Sequence, residues 1–268
     1  MTEICLITGN HPRHKHYAKK LISTGKVCSW IIEDREEFIP KPPSNIADDL
    51  KALFKHHFSE RERVENEVFR ISVDAENEVK IPVYKVGPND LNSDNTIQFV
   101  MHCAPRLVIS YGCHKISQNF IKTVGVRFWN THGGLSPNYR GVITHFWPSY
   151  YLEPQMTGMT LHETTNFLDA GEIIFQTAAP MVRGDTLHRL AARNVELFAE
   201  KLAEKILSLN FSSLPKGKLQ SEYGKVFMLK DWRPEHLRII YQVYNDAIVD
   251  AAIDGIIEGR EPKLISVL

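Results

Sequence analysis

Short apolar runs alternate with helix-compatible stretches along the first part of the chain. Residues 4–8 form an apolar run that ends at a glycine, residues 14–21 are compatible with a helix, and residues 27–32 form a second apolar run. The order strand, turn, helix and strand is that of a βαβ unit, whose two strands lie parallel. We therefore expect an α/β fold with a Rossmann-like, mostly parallel twisted sheet flanked by helices.

Similar patterns predict the remaining elements. Apolar runs predict strands at residues 107–111, 124–129, 157–165 and 172–180. Apolar residues at helical spacing predict amphipathic helices over residues 46–69 and 186–207, the second with Asp185 as its N-terminal cap. The composition of residues 86–97 predicts a loop and that of residues 208–220 a linker, and Pro234 is placed to begin a last helix.

The strand predicted at residues 124–129 leads directly into Asn130 and His132 on a glycine-rich stretch. Ligands of open α/β sheets bind at the carboxyl ends of strands, and an extended backbone places these two side chains on one face. An amide stabilises an oxyanion, and an imidazole beside a carboxylate such as Asp169 holds or transfers a proton. Together these groups would serve acyl transfer to an amine, whereas each motif alone is more typical of a structural turn.

Composition narrows the possible partners. Lys+Arg and Asp+Glu both number 32, so no overall basic charge favours a nucleic acid or a membrane surface. The four cysteines form no C-x-x-C pair, which favours a reducing compartment. The first residues lack a signal-peptide pattern, and no apolar stretch approaches the roughly 20 residues of a membrane helix. We expect a cytoplasmic protein without nucleic-acid or membrane partners.

Residues 130–141 resemble the motif of the folate-dependent formyltransferases, which is Asn-x-His, two small residues or proline, then Leu-Leu-Pro-x-x-Arg/Lys-Gly. The match has no gap and covers Asn130, His132, Leu135, Pro137, Arg140 and Gly141. Ser136 stands where the family has its second leucine. A second family motif, a strand leading into Asp-x-Gly-x-Ile, is matched by residues 157–162 and 168–173. Together the two motifs cover roughly residues 100–208.

The resemblance implies a reaction and a donor. The donor would be 10-formyltetrahydrofolate, and the catalytic trio would be Asn130, His132 and Asp169. Asn130 and His132 would polarise the formyl group, and either His132 or Asp169 would accept the amine proton. The pterin ring would lie against two loops, whose candidate contacts are Gly112, His114, Lys115, Ile116, Asn166, Leu168 and Gly171.

The resemblance specifies the acceptor amine less closely than it specifies the donor. The loop after the first strand can approach the acceptor in this family, and here it keeps Gly9 and Asn10 but lacks the serines of the ribonucleotide-binding members. Gly141 is a further candidate contact, while Arg140 would either hold the loop or reach a substrate phosphate. About sixty residues follow Leu207, fewer than the β-barrel domain of methionyl-tRNA formyltransferases needs.

The domain architecture of the chain therefore resembles most closely that of the N-formyltransferases of nucleotide-linked amino sugars, which act in surface-polysaccharide precursor synthesis. We expect a catalytic domain over residues 1–208 and a C-terminal extension over residues 209–268 that contacts substrate or a second subunit of a homodimer. Alternatives are formyl transfer to glycinamide ribonucleotide or methionyl-tRNA, and a catalytically silent folate-binding protein. A nicotinamide-dependent oxidoreductase is disfavoured because the first turn lacks G-x-G-x-x-G.

Histidines outside the motifs have simpler interpretations. Residues 11–16, His-Pro-Arg-His-Lys-His, are more typical of a solvated basic turn than of a metal site, so no metal is expected. His56 and His57 fall on a charged helix and are predicted to lie at the surface. The aromatic residues Trp232, Tyr241 and Tyr244 are at helical spacing and predict core or dimer packing.

Overall fold

The computed structural model describes residues 3–35, 39–71, 75–220 and 224–268. The strands within these ranges are β1 (Ile4–Gly9), β2 (Val27–Glu33), β3 (Val83–Val86), β4 (Leu107–Tyr111), β5 (Arg127–His132), β6 (Tyr139–Gly141), β7 (Met159–Glu163), β8 (Ile173–Thr177) and β9 (Lys225–Phe227). Seven of them form one twisted sheet in the order β3-β2-β1-β4-β5-β7-β8, and β6 pairs with β9 separately.

Strand direction confirms the predicted fold class. β1 is parallel to β2 and β4, β3 is parallel to β2, and β5 is parallel to β4. β7 runs antiparallel to both β5 and β8. The sheet is therefore mostly parallel, with its polar strand ends gathered at the carboxyl edge of β1, β4 and β5.

Helices cover both faces of the sheet. They are α1 (Pro12–Ile22), α2 (Asp48–Phe69), α3 (Asp94–Cys103), α4 (Gln118–Val124), α5 (Trp147–Tyr150), α6 (Leu187–Ser208) and α7 (Ile248–Ile253). Alternate side chains of β1 enter different cores: Ile4 and Leu6 pack with α1 and α6, while Cys5 and Ile7 pack with α3 and α4. Burial on both faces explains why the parallel strands read as continuous apolar runs.

The C-terminal segment is joined to the rest of the molecule at several points. β9 pairs with β6, and Phe227, Leu237 and Ile240 belong to a third core cluster with residues of α2 and α5. Near the end of the chain, the N–H of Val267 donates to the carbonyl oxygen of Ile174 at 2.9 Å. The described residues of 209–220 and 224–268 thus pack on the predicted catalytic domain, and their separate role stays a prediction.

Several local predictions were wrong. Residues 94–97 are not loop but the first turn of α3, because the Ser93 hydroxyl accepts the N–H of Thr96 and caps the helix. Thr186, not Asp185, caps α6 by accepting the N–H of Arg189, while Asp185 pairs with Arg193. A helical segment does begin at Pro234, as predicted, but it is a short 3₁₀ turn followed by a π-helical turn (Ile239–Val243) before α7.

The two histidine segments were also misjudged. Residues 12–16 belong to α1, and His14 is buried beneath the sheet edge rather than solvated. His56 is exposed as predicted, but His57 is buried, because the face of α2 that bears it packs against α6 and Tyr241. Trp232, Tyr241 and Tyr244 pack against the third core cluster, which confirms core packing.

Candidate active site

A row of three polar side chains crosses the carboxyl end of the sheet. The strand register places Ser110 of β4 beside Asn130 of β5, and Asn130 beside His162 of β7. The Ser110 hydroxyl donates to Oδ1 of Asn130 at 2.8 Å. This bond fixes the amide so that Nδ2 faces His162 Nε2 at 3.3 Å and Asp169 Oδ1 at 3.5 Å. Both contacts are long, which leaves the amide N–H groups available to a ligand oxygen.

His132 and Asp169 meet beside this row. Nε2–H of His132 donates to the carbonyl oxygen of Tyr139 at 2.8 Å, and Nδ1 lies 3.4 Å from Oδ2 of Asp169. The other carboxylate oxygen lies 3.3 Å from Nε2 of His162. The structure therefore brings Asn130, His132 and Asp169 together, although Asp169 lies on a different loop.

The Asp169 loop is held by contacts from three parts of the chain. The N–H of Gly141 donates to Oδ2 at 2.8 Å, and the Ser136 hydroxyl donates to the backbone carbonyl oxygen of Asp169 at 3.3 Å. Gln220, from the C-terminal segment, donates to the same carbonyl oxygen at 2.9 Å. Asp169 itself has a φ of 47°, a left-handed conformation that needs such support in a residue with a Cβ.

Ser136 is the position at which the chain departs from the expected motif. It is buried, its N–H donates to Oγ1 of Thr160, and its carbonyl oxygen accepts from Gln176. The polar side chain replaces an expected leucine and gains a hydrogen bond to the Asp169 loop. The departure therefore links the two motifs rather than weakening the site.

Burial and charge set the protonation of this group. Burial lowers the pKa of His132, and the Asp169 carboxylate opposes this effect only in part. Burial works against the charge of Asp169, but His132, His162 and the Gly141 N–H together lower the pKa of Asp169. At neutral pH His132 is thus neutral beside an ionised carboxylate.

This arrangement can take up a proton. Since Nε2–H of His132 is donated to Tyr139, the neutral ring presents the lone pair of Nδ1 toward Asp169. A proton that arrives at Nδ1 becomes a hydrogen-bond donor to the carboxylate, which stabilises the charged imidazole. The carboxylate therefore favours His132 as a general base.

A single cavity of about 790 Å³ adjoins the trio. Its lining comes from the loop after β4, the loop before Asp169, the helices α1, α2 and α6, and Trp232. The predicted donor contacts Gly112, His114, Lys115, Ile116, Asn166 and Leu168 all line this cavity. Gly171 is not among its described lining residues; its carbonyl oxygen accepts from Gln220 at 2.7 Å.

The predicted acceptor contacts lie mostly outside the described cavity wall. Gly141 lines the cavity, whereas Gly9 packs against His14, and Asn10 donates to Asp34 at 3.2 Å. Arg140 donates to the carbonyl oxygen of Gly224 at 3.0 Å, as a loop-holding arginine would. Contact of Gly9, Asn10 and Arg140 with an acceptor stays a prediction.

Sequence reasoning missed several residues at this site. Ser110 is a polar residue in the otherwise apolar run of residues 107–111, which was the available signal, whereas His162 stands between Leu161 and Glu163 in a mixed strand. Glu33, at the end of β2, is fully buried and accepts from both the backbone N–H and Nδ1 of His114, at 2.7 and 3.0 Å. The contacts of Gln220 and Glu33 depend on tertiary folding, so no local pattern indicates them.

The trio residues of this site lie within a stretch that matches a known family. A family model described as formyl transferase matches residues 54–206, more than half of the chain. The chain belongs to the formyl transferase family. The match includes both motifs and therefore every member of the trio.

A curated relative of this chain is the bifunctional polymyxin resistance protein ArnA of Wigglesworthia glossinidia brevipalpis, which is 32% identical over 108 residues. That alignment covers 40% of the chain and 16% of the length of ArnA.

Solved structures share the fold. A sugar N-formyltransferase from a Shewanella species has a TM-score of 0.56 at 17% identity, with 85% of this chain and 78% of that one covered. Phosphoribosylglycinamide formyltransferase from Anaplasma phagocytophilum has a TM-score of 0.53 at 18% identity, with 85% and 98% covered. At these identities the likeness concerns the fold alone.

Among the residues that the structure describes, no group of three or more His, Cys, Asp or Glu side chains is placed to hold a metal ion. No helix in the same ranges is both long and apolar enough to cross a membrane.

Proposed function

We propose that this formyl transferase moves a formyl group from 10-formyltetrahydrofolate to the amine of a nucleotide-linked amino sugar, which yields an N-formamido sugar. The convergence of Asn130, His132 and Asp169 on one cavity supports this proposal most directly. An amide donor, a neutral imidazole and an ionised carboxylate are the groups that formyl transfer to an amine requires.

The cavity fits a folate donor on the side of the two loops. Lys115 donates to the carbonyl oxygen of Asn166 at 3.1 Å and so joins the loops. Thr164 lines this part of the cavity, and its buried Oγ1 has no hydrogen-bond partner among the described residues. Phe167 and Leu168 expose apolar surface at the rim. Backbone polar groups, an unpaired hydroxyl and apolar walls suit a flat heteroaromatic ring.

The donor supplies the formyl carbon to which the amine adds. Asn130 would donate to the oxygen that becomes negative, since Ser110 holds its amide in that orientation. His132 would take the amine proton at Nδ1, next to Asp169. The same proton would pass to the donor nitrogen as the bond between that nitrogen and the formyl carbon breaks, which releases tetrahydrofolate. Asp169 would stabilise the imidazolium and position it, as a buried carboxylate beside an imidazole does.

The acceptor is tested by an amine screen. The full chain is incubated with 10-formyltetrahydrofolate and, separately, dTDP-, UDP- and GDP-linked amino sugars, and formylated product is measured by mass spectrometry. We expect one nucleotide-sugar class to be formylated far faster than glycinamide ribonucleotide. Preference for glycinamide ribonucleotide would contradict the acceptor class, and donor binding without any transfer would contradict the activity.

A further inference from the structure

A three-residue strand holds both side chains of the proton-transfer pair. The carbonyl oxygen of Tyr139, the first residue of β6, accepts Nε2–H of His132 at 2.8 Å. The N–H of Gly141, the last residue of β6, donates to Oδ2 of Asp169 at 2.8 Å. Since these bonds reach both partners of the 3.4 Å contact between His132 Nδ1 and Asp169 Oδ2, the position of β6 sets that contact.

Within the described residues, β6 pairs with β9 of the C-terminal segment, which comprises residues 209–220 and 224–268. Tyr139 lies beside Lys225, and Gly141 lies beside Phe227. The N–H of Val142, just after β6, donates to the carbonyl oxygen of Phe227 at 2.9 Å. Because a strand of three residues has little stability without a partner, β6 depends on β9 for its position.

The side chains around this strand pair add to the support. The buried ring of Phe227 stacks on Tyr139, with centroids 5.8 Å apart, and on Trp147, with centroids 4.7 Å apart. The hydroxyl of Tyr139 donates to Glu153, and Arg260 donates to the same carboxylate at 2.8 and 3.0 Å. Tyr139, which holds His132, is therefore held by two separate parts of the C-terminal segment.

Gln220 holds the Asp169 loop directly. Its Nε2 donates to the carbonyl oxygens of Asp169 and Gly171 at 2.9 and 2.7 Å. Both partners are acceptors, so only the NH₂ end of the amide can face them. The two bonds span the left-handed turn at Asp169, whose φ of 47° needs such support. Loss of both donors would release the backbone that carries the carboxylate.

A third connection runs from the end of the chain through Gln176 of β8. The N–H of Ile265 donates to Oε1 of Gln176 at 3.2 Å, and Nε2 of Gln176 donates to the carbonyl oxygen of Ser136 at 2.7 Å. The Ser136 hydroxyl donates in turn to the carbonyl oxygen of Asp169 at 3.3 Å. The C-terminal segment thus reaches the Asp169 loop both directly and through the main sheet.

We propose that the C-terminal segment is a positioning element of the formyl-transfer site, with Gln220 and Phe227 as its positioning residues. Gln220 holds the backbone of the Asp169 loop, and Phe227 holds His132 through Tyr139. The inference rests on the proposed function, since it assigns how the base and its carboxylate are held in that same site. It gives the segment a role besides contact with substrate or with a second subunit.

Loss of this support changes a measurable quantity, the pKa of His132. Burial lowers that pKa most, and the Asp169 carboxylate and the Tyr139 carbonyl oxygen oppose the effect. A displaced Asp169 or Tyr139 therefore lowers the pKa of His132 further. Other titratable or charged residues that act on the charge of His132 are His162, Arg140 and His145.

Gln220→Met tests the first positioning residue, because it removes both N–H donors, keeps the length of the side chain and adds no charge. We expect kcat to fall about tenfold, as for the net loss of one hydrogen bond. Both KM values should be nearly unchanged, since Gln220 is not among the described residues that line the cavity. The limb of the kcat–pH profile that reports His132 should move to lower pH. Gln242→Met, at an exposed glutamine of the same segment, should change neither kcat nor the profile.

Phe227→Leu tests the second positioning residue. The smaller side chain loses the stacking on Tyr139 and Trp147, so kcat should fall about two- to tenfold, the equivalent of one aromatic pair. The pH profile should move in the same direction as in Gln220→Met. Phe211→Leu is the matched control, since Phe211 belongs to the same segment but packs on the core cluster that contains Ile4. It should lower the free energy of unfolding without moving the profile.

Nitrogen-15 NMR of the histidine rings gives a readout that needs no turnover. The full chain is labelled with nitrogen-15 histidine, and His132 is assigned by comparison with His132→Gln. The unmodified chain should carry the ring proton on Nε2, as the bond to Tyr139 requires. A pH titration should give a lower pKa of His132 in Gln220→Met and Phe227→Leu than in the two controls, and circular dichroism checks that all four variants fold. If Phe227→Leu does not fold, Gln220→Met carries the test by itself.

The outcomes separate this inference from the proposed function. An unchanged titration of His132 in Gln220→Met, or a fall in kcat with an unmoved pH profile, would overturn the positioning role even where formyl transfer is confirmed. A lower pKa of His132 in a chain that formylates no amine would support the positioning role and refute the proposed function.

Discussion

The hydroxyl of Ser110 donates to Oδ1 of Asn130 at 2.8 Å, across the pairing of β4 with β5. An amide has one acceptor and one donor end, so this bond decides which end meets the cavity. It turns Nδ2 of Asn130 toward Asp169 and His162. A single buried serine thereby sets the direction in which the central amide can donate.

Loss of this hydrogen bond should reduce turnover. Ser110→Ala leaves Oδ1 of Asn130 without its donor and lets the amide rotate, so we expect kcat to fall about tenfold, the equivalent of one hydrogen bond. Ser29→Ala is the matched control, because Ser29 is equally buried in the sheet, on β2. Steady-state kinetics on both variants checks this. An unchanged kcat in Ser110→Ala would show that the amide is oriented by other groups.

Removal of any trio member should nearly abolish formyl transfer. The three changes remove, in turn, the amide donor (Asn130→Ala), the base (His132→Ala) and the carboxylate beside the base (Asp169→Ala). We expect each to lower kcat by about 10²- to 10⁴-fold. Circular dichroism should show folded variants, and His102→Ala, at an exposed histidine on α3, should be fully active. Turnover like that of the unmodified chain in any two of the three would refute the mechanism.

The free energy of unfolding should decrease as the pH falls below about 6.5. Burial lowers the pKa of His145 to about 4 and that of His188 to about 3 from an ordinary value of 6.5. Because the unfolded chain binds protons that the folded one refuses, each group costs about 1.4 kcal/mol per pH unit between its two pKa values. Urea unfolding from pH 7 to pH 4.5 measures the slope. His145→Gln should flatten it, whereas a slope equal to that of His102→Gln would contradict the prediction.

Glu33 should control the affinity for the donor. Its fully buried carboxylate holds the loop after β4 through the N–H and Nδ1 of His114, and that loop lines the donor side of the cavity. Glu33→Gln should raise the donor KM about tenfold or more, since hydrogen bonds to a charged acceptor are lost. Asp34→Asn should leave the donor KM unchanged, because Asp34, the next residue along the chain, accepts a hydrogen bond from Asn10 instead. A change in the acceptor KM alone would contradict this role.

Gly141 should tolerate no side chain. Its φ is 98°, and a Cβ there would overlap the carbonyl oxygen of Phe227 in the pairing of β6 with β9. Gly141→Ala should therefore shift the N–H that donates to Asp169 and lower both the free energy of unfolding and kcat. Gly184→Ala is the control: φ is 83° and a Cβ there meets nothing. Its cost, about 1 kcal/mol, isolates the backbone contribution, and equal effects of the two changes would contradict the steric argument.

Local patterns in the sequence determined the fold class and most elements. Continuous apolar runs reflect strands buried on both faces, and helical spacing reflects faces packed on the sheet, so both are encoded by neighbouring residues. The wrong predictions concern places where a single side chain determines the start of a helix or where packing determines burial. Ser93 caps a helix that begins inside a stretch predicted as loop, and Thr186 rather than Asp185 caps α6. The packing of α2 buries a histidine predicted at the surface.

The sequence by itself also determined the trio and the family, because Asn130 and His132 share one motif and Asp169 belongs to a second in a fixed order. Only the tertiary structure decided which groups these residues contact. Strand register places Ser110 and His162 beside Asn130, and folding brings Gln220 to the Asp169 loop. The cavity wall likewise joins segments as distant as Arg13 and Trp232. Such contacts depend on long-range packing, which no local pattern of residues records.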